Sequence, residues 1–224
     1  MAPPISRLVG WLYVGDLALA VAFVVNRLVG TPVIAFNHWL DLDRGESVPA
    51  WYLSAQLLVI AMVFGWFAAR EASGSRLDRA VSWLPAATFT VLSIDAVAQL
   101  HDDIGRQVNE LIGDVSQAAL GSPAPHWGPL TIAVPLMIVM AIVFWRLRDR
   151  FVGHGRALAL IAGGLALFAI GGAGVDAALR TVTRSGAIYV VQTVVGETLE
   201  MLGATTMLWG IALRLTVAAP AATR

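Results

Sequence analysis

The chain has 224 residues, of which 58% are hydrophobic and only 13% are charged. This composition excludes an ordinary soluble globular domain and predicts an integral membrane protein whose main partner is the lipid bilayer. Fifteen acidic residues balance fifteen basic ones, so no basic field indicates a nucleic-acid partner. The lack of cysteine excludes disulfides, thiol catalysis and thiolate-bound metals, so a metal site would have to use carboxylate, imidazole and carbonyl groups.

Six apolar segments are each long enough to cross a bilayer, which requires about 20 mostly apolar residues. We therefore predict an all-α polytopic membrane helix bundle in which residues 1–224 form one integral membrane domain. In span five, alanines and glycines predict a small-residue face for close helix packing. The predicted spans are residues 8–29, 51–69, 80–100, 128–147, 157–179 and 187–213.

The distribution of arginine predicts which side of the membrane the termini face. Six spans place both termini on one side. Ten of the 15 basic residues lie in the termini and in the connections on that side, and five lie in the opposite connections. Because arginine concentrates in short cytoplasmic segments, we predict that both termini are cytoplasmic. The expected location is the inner, or plasma, membrane of the cell.

Two connections on the non-cytoplasmic side are long and polar. The first, NHWLDLDRGESVPAWY, carries Asp41, Asp43 and Glu46 ahead of span two. It is interpreted as a solvated loop that could also fold over a site and add a ligand. The second has apolar residues at helical spacing, which predicts an amphipathic outer helix over about residues 102–119.

Acidic residues inside predicted spans are candidate functional residues, because a carboxylate at the bilayer centre costs about 2.5–3.5 kcal/mol. Asp95 lies near the outer end of span three. Glu197 and Glu200 lie deeper in span six, three residues apart on one helical face. These positions predict an outward-facing polar site formed by spans three and six. Asp16 in span one is interpreted as a polar residue of helix packing or as a residue facing water.

His101 and Asp102 extend this candidate site. Asp102 continues the polar stripe of Asp95 on one helical face. His101 points about 120° away from Asp95 on a regular helix, so it joins the site only if the helix breaks near Leu100 or if the site lies between several helices. Carboxylate and imidazole groups bind calcium, manganese, iron and zinc ions. The predicted ligands of a divalent metal ion are Asp95, His101, Asp102, Glu197 and Glu200.

The motifs LDLDRGESVPAWY, SIDAVAQLHDD and GETLEMLG together resemble a group of uncharacterised multi-pass bacterial membrane proteins. That group has an acid-rich loop with Pro and Trp before span two, an Asp-Glu and then a His-Glu motif in span three, and a Glu-rich final span. The resemblance implies that Asp95, His101 and Asp102 match the span-three motif, and that Glu197 and Glu200 match the final one. The chain departs from the pattern at Ala96 and Gly196, where the group carries an acid.

The sequence leaves several functions open. The first is metal or cation binding at the site of spans three and six, in an enzyme or in ion handling; the sequence does not decide whether the protein is an enzyme. The second is a small transporter or channel coupled to protons or ions. The third is a non-catalytic subunit of a larger membrane complex, with membrane-protein partners or a homo-oligomer. A structural alternative is that Asp95, Glu197 and Glu200 are protonated or hydrogen-bonded and hold helices together.

Overall fold

A computed structural model describes residues 3–30, 34–70, 75–101, 153–175 and 186–218, together with scattered residues from 103 to 148. Apart from short turns and loops, the described residues are helical, which confirms the all-α prediction for this part of the chain. The elements are α1 (Pro3–Leu28), α2 (Ile34–Trp39), α3 (Val48–Arg70), α4 (Arg76–Ala98), α5 (Gly155–Ala169), a π-helical segment (Ile170–Val175) and α6 (Gly186–Ala218).

Four helical stretches in the described part are long and apolar enough to cross a membrane, and they coincide with predicted spans one, two, three and five. They are Ser6–Leu28, Val48–Arg70, Arg76–Ala98 and Gly155–Gly172. The predicted span six lies within α6. The described residues between 135 and 145 and between 103 and 111 are helical, and the rest of predicted span four and of the predicted outer helix lies outside the described residues. The count of six spans and the side of the termini stay predictions.

The C-terminal end of α3 and the N-terminal end of α4 contain interactions typical of helix ends at a water interface. The Arg70 guanidinium lies 4.0 Å from the centre of the Trp66 ring. Ser75 then begins α4 with a capping box: its hydroxyl oxygen accepts from the Asp78 backbone N–H at 3.2 Å, and the Asp78 carboxylate accepts from the Ser75 backbone N–H at 3.1 Å. This cap satisfies backbone donors that the first helical turn would otherwise leave unpaired.

α3 and α4 pack against each other as an antiparallel hairpin. The rings of Phe64 and Phe89 stack with centroids 5.9 Å apart. Towards the other end, the Ser54 hydroxyl donates to the Ser93 carbonyl at 2.8 Å, and the Ser93 hydroxyl donates to the Ser54 carbonyl at 2.9 Å. These reciprocal bonds satisfy two polar groups inside an apolar contact, so they also fix the register of the two helices.

α5 and the π-helical segment approach α6 through small residues spaced seven apart. A Cβ atom on Gly164 would lie 2.6 Å from the Gly203 carbonyl oxygen, closer than real Cβ contacts allow. Two further pairs make equally close approaches in the same antiparallel register, so the backbones touch along the hairpin. The three pairs are Ala157 with Gly210, Gly164 with Gly203, and Gly171 with Gly196.

α6 is the central helix of the described bundle, and it contacts α1, α3, α5 and the π-helical segment. Its residues Met201, Ala204 and Met207 are at most 1% exposed. Tyr13 of α1 reaches it through a 2.8 Å hydrogen bond with the Thr206 hydroxyl. α4 packs mainly against α3, and α3 contacts both α4 and α6. Spans three and six correspond to α4 and α6. Because α4 packs mainly against α3, the predicted site requires other residues that connect the ends of α4 and α6.

Candidate cation site at the loop end

α4 ends three residues after Asp95, and this break turns the chain back onto the helix. Gln99 adopts a left-handed conformation, with φ 50° and ψ 38°, and its backbone N–H donates to the Asp95 carbonyl at 2.7 Å. Among the described residues other than glycine, Gln99 alone has positive φ. A left-handed residue is a common way to end a helix, although it is unfavourable for a residue with a side chain.

The break brings His101 onto Asp95. The His101 Nδ1 atom lies 2.7 Å from Asp95 Oδ2, and the His101 backbone N–H donates to Asp95 Oδ1 at 2.8 Å. A regular helix would separate these two side chains by about 120° around its axis. The sequence placed His101 in the site only if the helix breaks near Leu100. The structure has this break at Gln99, one residue before Leu100.

This geometry gives Asp95 and His101 different roles. The Asp95 side chain is 19% exposed and holds the imidazole through Nδ1, whereas the His101 side chain is 44% exposed. When Asp95 is ionised, Nδ1 carries the proton that it donates to the carboxylate, which makes Nε2 the nitrogen with an electron pair. A carboxylate that orients an imidazole in this way is typical of histidine residues that bind metals and of histidine residues that transfer protons.

The acid-rich loop at residues 40–47 folds over the ends of α4 and α6; this end of the bundle is called the loop end below. The Gln99 side-chain amide donates to the Asp43 carbonyl at 3.1 Å, and the Tyr189 hydroxyl of α6 donates to Asp43 Oδ2 at 2.5 Å. A Cβ atom on Gly45 would overlap the Val97 carbonyl oxygen, so only glycine fits there. Asp43 therefore links α4 to α6.

The other two acids of this loop also have partners. Asp41 pairs with Arg27, the last basic residue of α1, at 3.3 Å. Glu46 lies 3.8 Å from His38 and 3.9 Å from Arg44, but its side chain is 76% exposed. Pairs this exposed contribute little to stability because water screens them. The sequence interpretation as a solvated loop holds for Glu46, whereas Asp41 and Asp43 fasten the loop to α1 and α6.

Tyr189→Phe is expected to loosen this loop. The variant removes the hydrogen bond to Asp43, and losing about 1 kcal/mol would raise the rate of tryptic cleavage after the exposed Arg44 about fivefold. Tyr13→Phe is the matched control, because the hydroxyl group that it removes bonds Thr206 of α6 instead. Equal cleavage rates in the two variants would contradict the role of Asp43 as the link between α4 and α6.

Glu197 and Glu200 lie on α6, eight and eleven residues after Tyr189, and both are partly buried. A Cβ atom on Gly172 would lie 2.8 Å from Glu200 Oε1, so this carboxylate rests directly on the π-helical segment. π-helical turns are frequent at functional sites. The glycines at 171 and 172 thus make room for both the backbone and the carboxylate of α6.

The structure brings two of the five predicted ligands into direct contact. Asp95 and His101 are in direct contact. Glu197 and Glu200 share the α6 helix, and Asp102 lies outside the described residues. Within the described ranges, no three His, Asp or Glu side chains are grouped closely enough to hold a metal ion. The complete set of five ligands therefore stays a prediction.

A second polar cluster lies in the middle of the bundle, and sequence reasoning missed two of its members. Asp16 of α1 is 0% exposed, and it is bonded to Gln56 of α3 and Thr205 of α6. Its burial excludes the interpretation that Asp16 faces water and supports a role in helix packing. The available signal was Gln56, a polar residue inside the apolar run YLSAQLLVIA.

A family model described as a domain of unknown function (DUF8692) matches residues 11–215. The chain belongs to this family. The DUF8692 match contains the Asp95–His101 pair, both glutamates of α6 and the buried cluster at Asp16. No curated protein and no solved structure matches the chain.

Proposed function

We propose that this chain is a multi-pass protein of the plasma membrane that binds a metal ion or another cation at the loop end. The observation that carries the proposal is the 2.7 Å contact between Asp95 and His101, made by the helix break at Gln99. In this proposal His101 Nε2 binds the ion and Asp95 orients the ring. The remaining ligands are Asp102, Glu197 and Glu200.

The chemistry of these groups supports a cation. A carboxylate bonded to Nδ1 raises the basicity of the imidazole, which strengthens binding of a metal through Nε2. Further carboxylates would neutralise the charge of a divalent ion, which matters in a site bordered by lipid. The loop at residues 40–47 covers the ends of both helices that supply these residues, and it would limit exchange of the ion with water.

Elemental analysis of the full chain, purified without chelator, tests this function. We expect a stoichiometric metal ion in the wild type and its loss in His101→Ala and in the Glu197→Ala Glu200→Ala double variant. His154→Ala is the matched control, because His154 lies at the opposite end of the bundle against Arg214. Metal at background level in the wild type, or unchanged metal in both test variants, would overturn the proposal.

A second candidate is a small transporter or channel coupled to protons or ions. It is favoured by Asp16, a fully buried acid far from the loop end, since ionisable residues within a membrane mark ion and proton pathways. This function predicts pH-dependent flux in proteoliposomes that Glu197→Gln abolishes. Glu110→Gln, which changes an exposed acid, should keep the flux. Flux that is absent, or equal in the two variants, would exclude a transport role for Glu197.

A further inference from the structure

The end of the α3–α4 hairpin that lies opposite the loop end carries three arginines. Arg70 is the last residue of α3, and Arg76 and Arg79 lie in the first turn of α4. All three are exposed, and none of them forms an ion pair with another described residue. Asp78 lies among them, and its carboxylate accepts hydrogen bonds from the Ser75 backbone N–H and hydroxyl group. This hairpin end therefore has an excess of positive charge.

On α3, an exposed apolar stripe leads to the first of these arginines. Val59, Met62 and Trp66 precede Arg70 at steps of three and four residues, so the four side chains share one helical face. The three apolar side chains are exposed. From Val59 to Arg70 the helix rises about 17 Å, which is close to half the thickness of a bilayer core, about 15 Å.

α4 shows the same order of side chains when it is followed from its middle towards its first residue. Val91 and then Trp83 are exposed, and Arg79 and Arg76 follow Trp83 at steps of four and three residues. Trp83 also packs against α3, because a Cβ atom on Gly65 would lie 3.4 Å from its ring. Both helices of the hairpin therefore present aliphatic, then tryptophan, then arginine side chains.

The contact between Arg70 and Trp66 orients a guanidinium group at this end. The guanidinium lies 4.0 Å from the centre of the indole ring. Stacking on an aromatic ring uses none of the five N–H donors of arginine, which lie in the plane of the guanidinium. Those donors bind phosphate oxygens in a bidentate manner. Arg70 is thus held in an orientation that suits a phosphate group.

The order of side chains on the hairpin corresponds to the order of groups in a phospholipid. Aliphatic residues suit the acyl chains, tryptophan is enriched at the level of the headgroups, and arginines attract anionic headgroups. A free phosphate ion would contact the arginines but not the apolar stripes. At the loop end, by contrast, the same two helices meet the loop that carries Asp41, Asp43 and Glu46, which would repel an anionic lipid.

We propose that this end of the α3–α4 hairpin binds an anionic phospholipid from the surrounding membrane. Arg70, Arg76 and Arg79 bind its phosphate group, and its acyl chains lie along the exposed stripes of α3 and α4. A lipid with net negative charge is preferred over a zwitterionic one because the hairpin end carries more positive than negative side chains. The site shares no residue with the proposed cation site at the loop end, so either proposal can fail without the other.

Titration of the purified full chain in detergent with phosphatidylglycerol tests the proposal. The Tm of the wild type is expected to rise with the mole fraction of this lipid and to saturate, and phosphatidylcholine should bind more weakly. Arg76→Gln Arg79→Gln is expected to raise the mole fraction at the half-maximal Tm increase about 30-fold, since each arginine near an anionic surface contributes about fivefold. Arg76→Lys Arg79→Lys keeps both charges and should lose less.

Arg7→Gln Arg156→Gln is the matched control, because it removes the same charge from α1 and α5 at the same end of the bundle. Equal weakening in the two glutamine variants would indicate a diffuse positive surface and would overturn the hairpin site. An equal Tm increase with soluble glycerol 3-phosphate would overturn the choice of a lipid. Equal binding of phosphatidylglycerol and phosphatidylcholine by the wild type would also overturn the proposal, and this comparison requires no variant to fold.

Discussion

Gly164→Ala is expected to lower the free energy of unfolding by about 1–3 kcal/mol, the usual cost of adding atoms to a tightly packed contact. The new methyl group would lie 2.6 Å from the Gly203 carbonyl oxygen and 2.7 Å from the Met207 backbone nitrogen. Both atoms belong to the α6 backbone, which cannot move aside as a side chain can. α5 and α6 would therefore have to separate along the whole hairpin.

Gly163→Ala is the control, one residue earlier on the same helix. A Cβ atom at Gly163 meets nothing within 4 Å, so the change should leave stability unchanged or raise it through the better helix propensity of alanine. The free energy of unfolding of both variants is measured by denaturant titration in mixed micelles. The account of close backbone packing would be wrong if Gly164→Ala were as stable as Gly163→Ala.

Thr205→Val is expected to lower the free energy of unfolding by about 1–2 kcal/mol, because it removes the hydroxyl that donates to Asp16 and accepts from Gln56. Valine has nearly the shape of threonine, so the core packing is kept and the loss reports on hydrogen bonding. The change also leaves one oxygen of a fully buried carboxylate without its donor.

Thr198→Val provides a matched comparison on the same helix. The Thr198 hydroxyl oxygen is buried and makes no hydrogen bond within the described residues, so replacing it should be neutral or stabilising. The same denaturant titration compares the free energies of unfolding of the two variants. Equal effects at positions 198 and 205 would show that the Asp16 cluster contributes no more than an ordinary buried threonine.

Hydropathy alone predicted much of the helical architecture. Spans one, two, three and five coincide with long apolar helices, because a continuous apolar segment has few alternatives to a helix in lipid. The sequence also predicted that span five packs closely against another helix, because this span is rich in small residues. It did not identify α6 as the partner. The seven-residue spacing of Gly196, Gly203 and Gly210 is visible in the sequence and marks the face of α6 that does the packing.

The break at Gln99 was not predictable from periodicity. Helical spacing assumes an uninterrupted helix, and it placed Asp95 and Asp102 on one polar stripe and His101 away from it. The structure instead gives Gln99 a left-handed conformation, and its side chain bonds the Asp43 carbonyl 56 residues earlier. A contact so distant in sequence selects one local conformation over another, and no local pattern reports it.

The partners of Asp16 were unpredictable for a related reason. Gln56 is 40 residues away and Thr205 is 189 residues away. Hydropathy identifies spans but does not specify which helices are neighbours or which faces meet. The burial of Asp16 follows from the packing of α1 and α3 around α6, so it became evident only once that arrangement was known.

Anomalous diffraction from crystals of the full chain grown with Mn²⁺ tests the central claim most directly. The account predicts an anomalous peak beside His101 Nε2, on the side of the ring facing away from Asp95, and no such peak in crystals of His101→Ala. A peak located away from Asp95, His101 and the two glutamates of α6, or no peak in the wild type, would contradict it.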